Sequence, residues 1–325
     1  MRNRARRPLL HRLEWPTLAL AAVIYGGFLA LTWYAEVLPW WLLLVLGGYI
    51  VAWQGSLQHE AVHGHPTPWR GVNDVLAAFS LTLWLPYGLY RKLHLRHHAD
   101  ERLTDPLADP ESFYVTPQAW ARMGRLRRAL LRLHNTALGR MLLGPPLAVW
   151  QLWSSEARRL ARGDRRHLGF WLLHLPAAAA VLAWVVGVCG VSILDYLLLF
   201  VYPGTALTLL RSFLEHRAVE DVGERTALVE AGPLMSLLYL NNNLHVAHHT
   251  EPGLPWYRLP RRYRERRAEF LARNGGYLYR GGYLEVLARH LLRPKEPPVH
   301  PLAGPRLAPA AEASAPVRQA REYAR

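Results

Sequence analysis

The chain is nearly without cysteine: its 325 residues contain one, Cys189. A single thiol cannot close an intrachain disulfide, nor build a cysteine-ligated zinc, rubredoxin or iron–sulfur site. Acidic residues are also scarce, 24 against 39 lysines and arginines, for a formal charge of +15. That balance suits an anionic partner, yet no zinc finger or other nucleic-acid motif accompanies it, which argues against nucleic acid. The His-Pro-Gly-Gly haem signature of a cytochrome b5 domain is missing too. Any metal chemistry must therefore rest on imidazole.

Lysine and arginine are absent from four long apolar blocks, residues 16–34, 37–53, 168–188 and 191–210. Each approaches the ~20 residues that a helix needs to cross the hydrocarbon layer. Short turns join them in pairs, at Ala35 and Glu36 and at Cys189 and Gly190. The pattern predicts two transmembrane hairpins, because soluble cores seldom hold four apolar segments of this length. Trp33, Tyr34, Trp40, Trp41 and Trp53 near the block ends fit an interfacial aromatic belt. The first block runs straight into the second without a small-residue cleavage site, which argues against a signal peptide.

The basic residues set an orientation. Five lie in 1–16, sixteen in 54–167 and eighteen in 211–325. The positive-inside rule places both termini and the central segment on the cytosolic side, with a bacterial inner membrane as the expected location. The positive charge then meets anionic headgroups.

One integral membrane domain is expected over 1–293. Residues 72–90 are apolar enough to lie in the interface, and DPLADPESFY (105–114) is a proline-punctuated loop. An arginine-rich amphipathic helix is expected over roughly 118–138. The stretch 142–153 is broken by Pro145 and Pro146 and reads as interfacial rather than spanning. RLPRRYRERRAEFLAR (258–273) reads as a surface helix. From Pro294 onward, proline, alanine and charge without an apolar period predict a disordered tail, 294–325.

Histidine is where the chain is rich. Of sixteen, nine fall in three clusters: His59, His63 and His65; His94, His97 and His98; His245, His248 and His249. The second and third clusters share the spacing His-X-X-His-His. Positions i, i+3 and i+4 lie on one helix face, so the members of a cluster converge. His216 stands alone in SFLEHR, just after the fourth apolar block. All of these sit at or past the same ends of the predicted membrane helices.

Eight or nine imidazoles exceed the needs of one ion, since zinc takes four ligands, or three plus water. Two five- or six-coordinate ions would use them all and keep positions open. Nitrogen ligation suits iron, copper, nickel or zinc, so ligand type leaves the metal undecided. His11, His134, His167, His174, His290 and His300 read as isolated polar residues. HEAVH (59–63) is also a literal His-Glu-X-X-His, the zinc metalloprotease signature with Glu60 as general base. That reading leaves both His-X-X-His-His clusters without a role. A divalent-metal transporter fits less well still, because transport sites lie near the bilayer midplane.

Taken together, HEAVH (59–63), HLRHH (94–98) and HVAHH (245–249) resemble the three histidine boxes of the membrane fatty acid desaturase superfamily. That superfamily includes desaturases, alkane and lipid hydroxylases, and carotenoid ketolases and hydroxylases. The likeness covers box order and four-helix topology over residues 15–290. The expected architecture is all-α: four membrane helices in two hairpins, with a cytosolic helical cap around a histidine-rich di-metal site. The resemblance implies a non-haem di-iron centre using O2. Its ligands would be His59, His63, His94, His97, His98, His245, His248 and His249, with His216 in the place of an additional ligand. His65 is an extra histidine outside that set.

Glu60, Glu215, Asp105 and Asp109, and Asn241 one turn before His245, are candidates to orient the imidazoles. Asp105 and Asp109 suit the shaping of Asp-Pro turns equally well. The implied reaction is desaturation of a fatty acyl chain, with oxygen insertion into a lipid, alkane or carotenoid as the alternative. With one cysteine and no His-Pro-Gly-Gly signature, a fused rubredoxin, ferredoxin or cytochrome b5 domain is not expected, so a separate carrier of ferredoxin type, with its reductase, is implied. The basic surfaces suit an acidic partner.

Overall fold

The computed structural model describes residues 13–98 and 102–302. Two helical hairpins form the trunk: Trp15–Trp33 with Trp40–Val62, and Leu168–Val188 with Ile193–Glu215. All four helices are long and apolar enough to cross a membrane. The turn of the second hairpin uses Gly190 at φ +70°, a conformation that favours glycine. The second and fourth helices run past their expected ends at residues 53 and 210. Trp33, Trp40 and Trp41 are exposed, as a belt requires. Trp53 is not part of it: with the helix continuing to Val62, its ring is buried edge-on to Tyr49 at 5.5 Å.

Helices in lipid gain little from hydrophobic burial and associate where small residues let backbones approach. The second and fourth membrane helices do this at their glycines. A Cβ at Gly204 would lie 2.5 Å from Val51 Cγ1, and one at Gly48 2.8 Å from Pro203 Cβ. The close crossing sets residues 59–63 beside residues 215–216.

Shorter helices cap that end. The helix expected over 118–138 is instead two, Pro117–Ala121 and Arg125–His134, and a third begins at Ala137. Threonine caps explain the division. Thr116 Oγ1 accepts the Ala119 N–H at 3.1 Å, and Thr136 Oγ1 accepts the Gly139 N–H at 2.9 Å. The latter starts Ala137–Ala161, which continues through Pro145 and Pro146 rather than breaking there. Pro146 deprives the Leu142 carbonyl of its helical donor. The Tyr202 hydroxyl, on the fourth membrane helix, supplies one at 2.6 Å. The surface helix expected over 258–273 is likewise split, into Leu259–Glu265 and Arg267–Arg273.

The third histidine cluster is held by a small parallel strand pair, Leu228–Val229 with Leu278–Tyr279. Asn243 Nδ2 donates to the Val229 carbonyl at 2.7 Å, and the Val246 N–H to Ala227 O at 3.2 Å. Order does not end at Pro294. Val299 bridges Val115, and Lys295 Nζ donates to the His216 carbonyl at 2.5 Å. Residues 294–302 therefore belong to the cap; the remainder of the expected tail, from 303, lies outside the described residues.

Candidate metal centre

His59 sits in the last turn of the second membrane helix, and His63 is its C-cap. His216 is the C-cap of the fourth. The cap helix Tyr87–His97 carries His94 and His97 and ends on His98. The short helix His245–Thr250 carries the third cluster. All nine expected histidines converge, in two groups. His59, His63, His94, His98 and His248 form one; His97, His216, His245 and His249 form the other. Within each group the ligand nitrogens lie within 4.8 Å of one another.

The spacing fits two metal ions. Nε2 atoms face each other at 3.2 Å for His63 and His94, 3.1 Å for His94 and His98, and 3.2 Å for His98 and His248. In the second group the distances are 2.9 Å for His97 and His216, 3.1 Å for His216 and His245, and 3.1 Å for His245 and His249. Adjacent ligands of an octahedral ion with bonds of about 2.1 Å stand about 3.0 Å apart. Two Nε2 lone pairs facing each other at this distance repel, and either a shared proton or a metal ion between them relieves it.

The division follows helix geometry. His94 and His98, at i and i+4, serve the first group while His97 points to the second. The third cluster reverses this: His245 and His249 serve the second group and His248 the first. Consecutive residues thus face different groups, and the rings of His98 and His249 stack at 4.2 Å between them.

At three of the histidines an acceptor holds the opposite ring nitrogen. His94 Nδ1 donates to Glu111 Oε1 at 2.8 Å and His97 Nδ1 to Asp109 Oδ1 at 2.9 Å. His245 Nδ1 donates to Asn242 Oδ1 at 3.0 Å. Glu215 Oε1 lies 3.3 Å from Asn242 Nδ2, 3.5 Å from His245 Nδ1 and 2.8 Å from Arg211 Nε. An acceptor on Nδ1 fixes the proton there and leaves the Nε2 lone pair for metal. Burial and the neighbouring imidazoles hold His63, His98, His216, His245 and His248 well below the ordinary histidine value. That shift favours the neutral ring, the form that binds metal. At His97 burial opposes charge, but the Glu111 and Asp109 carboxylates outweigh it and push the ring up to about 9. The same carboxylates favour any cation at Nε2.

Several expected partners are elsewhere. Asn241 donates to the Trp256 carbonyl at 3.0 Å; the residue beside it, Asn242, meets His245. Leu240 and Asn241 both have positive φ, and that tight turn presents position 242 to the site. Glu60 instead accepts the Trp256 N–H at 3.1 Å, which ties the loop after the third cluster to the second membrane helix. Asp105 caps its own turn through the N–H groups of Leu107 and Ala108. Asp109 does orient an imidazole. Glu111, which the sequence reading missed, stands two residues further along the same loop. His65 bonds Glu14 at 2.7 Å, outside both groups. His167, His174 and His300 bond Glu156, the Leu83 carbonyl and Thr104.

Two comparisons bear on this site. The fatty acid desaturase family model matches residues 35–281, a span containing all nine histidines. A β-carotene ketolase of Paracoccus sp. (strain N81106 / MBIC 01143) is 28% identical over 253 residues, covering 75% of this chain and 79% of the relative. With most of its length matched, the chain belongs to the fatty acid desaturase family and is by that membership an oxidoreductase.

Proposed function

We propose that the protein is an O2-dependent di-iron oxidoreductase that desaturates a lipid acyl chain at the membrane. The observation that carries this reading is the partition of nine imidazoles into two adjoining groups, one of five nitrogens and one of four. Neither group completes six-coordination, so each keeps room for an exchangeable ligand. When bound, the irons supply the reductive activation of dioxygen that removes hydrogen from an unactivated C–H bond. The residues hold and orient: Asp109, Glu111 and Asn242 lock their imidazoles, and Arg211 holds Glu215 beside His245. His59, His94, His97, His245 and His248 are buried, which limits water at the site. A separate carrier of ferredoxin type, with its reductase, delivers electrons from the cytosolic side of a bacterial inner membrane.

Oxygen insertion is the second reading, favoured by one observation, the β-carotene ketolase relative. Zinc proteolysis fits poorly, since Glu60 is engaged by the Trp256 backbone and not poised as a base over the imidazoles.

The test is mass spectrometry of lipids from two bacterial hosts, one producing β-carotene, that co-express the chain with a ferredoxin and its reductase. His97→Ala and the empty vector run alongside. A fatty ester lighter by two hydrogens, absent from both controls, supports acyl desaturation. A carotenoid with a carbonyl in place of a methylene moves the assignment to ketolation, and a product heavier by one oxygen to hydroxylation. Unchanged lipids in both hosts, from iron-loaded protein, overturn the proposal.

A further inference from the structure

The helix Arg125–His134 is open to its surroundings on most of its circumference. Leu126, Leu130 and Leu133, at i, i+4 and i+7, line one face and are 75%, 38% and 46% exposed. Arg128 and Arg132 lie on the other side, each guanidinium 5.5 Å above the Trp120 ring. At 3.6 residues per turn, Arg125 and Arg127 fall about 100° to either side of the leucine stripe. From Ser112 to Ser155 the chain has six arginines and neither aspartate nor glutamate. Nothing in the segment neutralises this charge.

The next helix shows what lies beside the stripe. Asn135 and Thr136 join Arg125–His134 to Ala137–Ala161, which packs on the fourth membrane helix. The Tyr202 hydroxyl reaches the Leu142 carbonyl, and a Cβ at Gly144 would lie 2.7 Å from Leu209 Cδ1. On its outward face Leu142, Trp150 and Trp153 remain 52%, 73% and 50% exposed. The leucine stripe is therefore two residues from a helix seated against a membrane helix, with tryptophans facing outward. Apolar residues on one face, arginines on its flanks and aromatic neighbours characterise a helix lying in the headgroup plane.

We propose that Arg125–His134 is a lipid-surface anchor. Its leucines enter the leaflet on the metal-centre side, and Arg125 and Arg127 hold the phosphates of anionic phospholipids. The inference rests on the membrane reading and is independent of which substrate is oxidised.

Nitroxide labels on the full chain test it. In a Cys189→Ala background, single cysteines replace Leu126, Leu130, Leu133, Arg128 or Arg132, and the protein is placed in nanodiscs of phosphatidylcholine with or without phosphatidylglycerol. Labels at the three leucine positions should collide more with oxygen than with a water-soluble nickel chelate, and labels at Arg128 and Arg132 the reverse. Phosphatidylglycerol should deepen the leucine labels, and Arg125→Gln with Arg127→Gln should abolish that deepening. Two positions on the polar face and three on the apolar one keep the comparison intact if one variant misfolds. Leucine labels that favour the chelate overturn the anchor. So do labels shielded from both reagents, which would mean that protein covers the face. Equal depth in both lipids overturns the anionic specificity.

Discussion

His97 and His216 meet Nε2 to Nε2 at 2.9 Å although 119 positions separate them. One belongs to a cap helix and the other ends a membrane helix, so this contact closes the cap onto the trunk. The neighbour His98 turns to the other group, where it meets His248 at 3.2 Å. One pair of consecutive residues thus divides between two sites, and so does the pair His248 and His249.

The two groups differ in number of donors, and loss of a ligand should show it. His216→Ala leaves three imidazoles where there were four, whereas His63→Ala leaves four of five. After dialysis against a chelator, elemental analysis should find His216→Ala depleted of about half its metal. His63→Ala should retain most of its metal. Equal losses would contradict the division into five and four.

Carboxylates behind the imidazoles should separate by contact, not by type. Asp109→Asn weakens the acceptor on His97 Nδ1 and should lower metal affinity about 10–100-fold while the fold persists. Glu111→Gln should act similarly through His94. Asp105→Asn, whose carboxylate accepts the Leu107 and Ala108 N–H groups and meets none of the nine histidines in a hydrogen bond, should leave metal affinity unchanged. Competition with a fluorescent chelator measures all three.

Adjacent asparagines should behave differently. Asn242→Leu removes the acceptor for His245 and should weaken metal binding. Asn241→Ala loses a bond to the Trp256 carbonyl and puts alanine at φ +59°. A left-handed alanine costs roughly 1–2 kcal/mol. Its melting temperature should fall while metal affinity holds, as read by thermal unfolding and metal titration on the same sample.

The helix crossing that sets the site should be sensitive to one methyl group. A Cβ at Gly204 would lie 2.5 Å from Val51. Gly204→Ala should destabilise the protein by about 1–3 kcal/mol through overpacking. A Gly26→Ala control, with nothing within 4 Å of its Cβ, should not. Thermal unfolding in detergent distinguishes them.

Much of this was legible in the sequence because helix periodicity is local. The apolar blocks mark the hairpins, and i, i+3, i+4 spacing places each cluster on one face. Which histidine serves which group was not legible, since that depends on how helices far apart in the chain are rotated against one another. A regular helical turn before His245 would make Asn241 the facing residue, and the left-handed pair Leu240 and Asn241 shifts it to Asn242. The boundary expected at Pro294 is displaced for a similar reason. Lys295 and Val299 are ordered by contacts with His216 and Val115, which leave no local pattern. Pro145 and Pro146 suggested a break that a distant tyrosine hydroxyl prevents.

Metal content decides most directly whether the nine histidines do what their geometry suits them for. The full chain, purified from iron-replete cells and assayed by elemental analysis with Mössbauer spectroscopy, should hold two irons in distinct but adjoining environments. A single zinc without iron, or an iron content that His97→Ala and His248→Ala leave unchanged, would contradict a di-iron centre built from these residues.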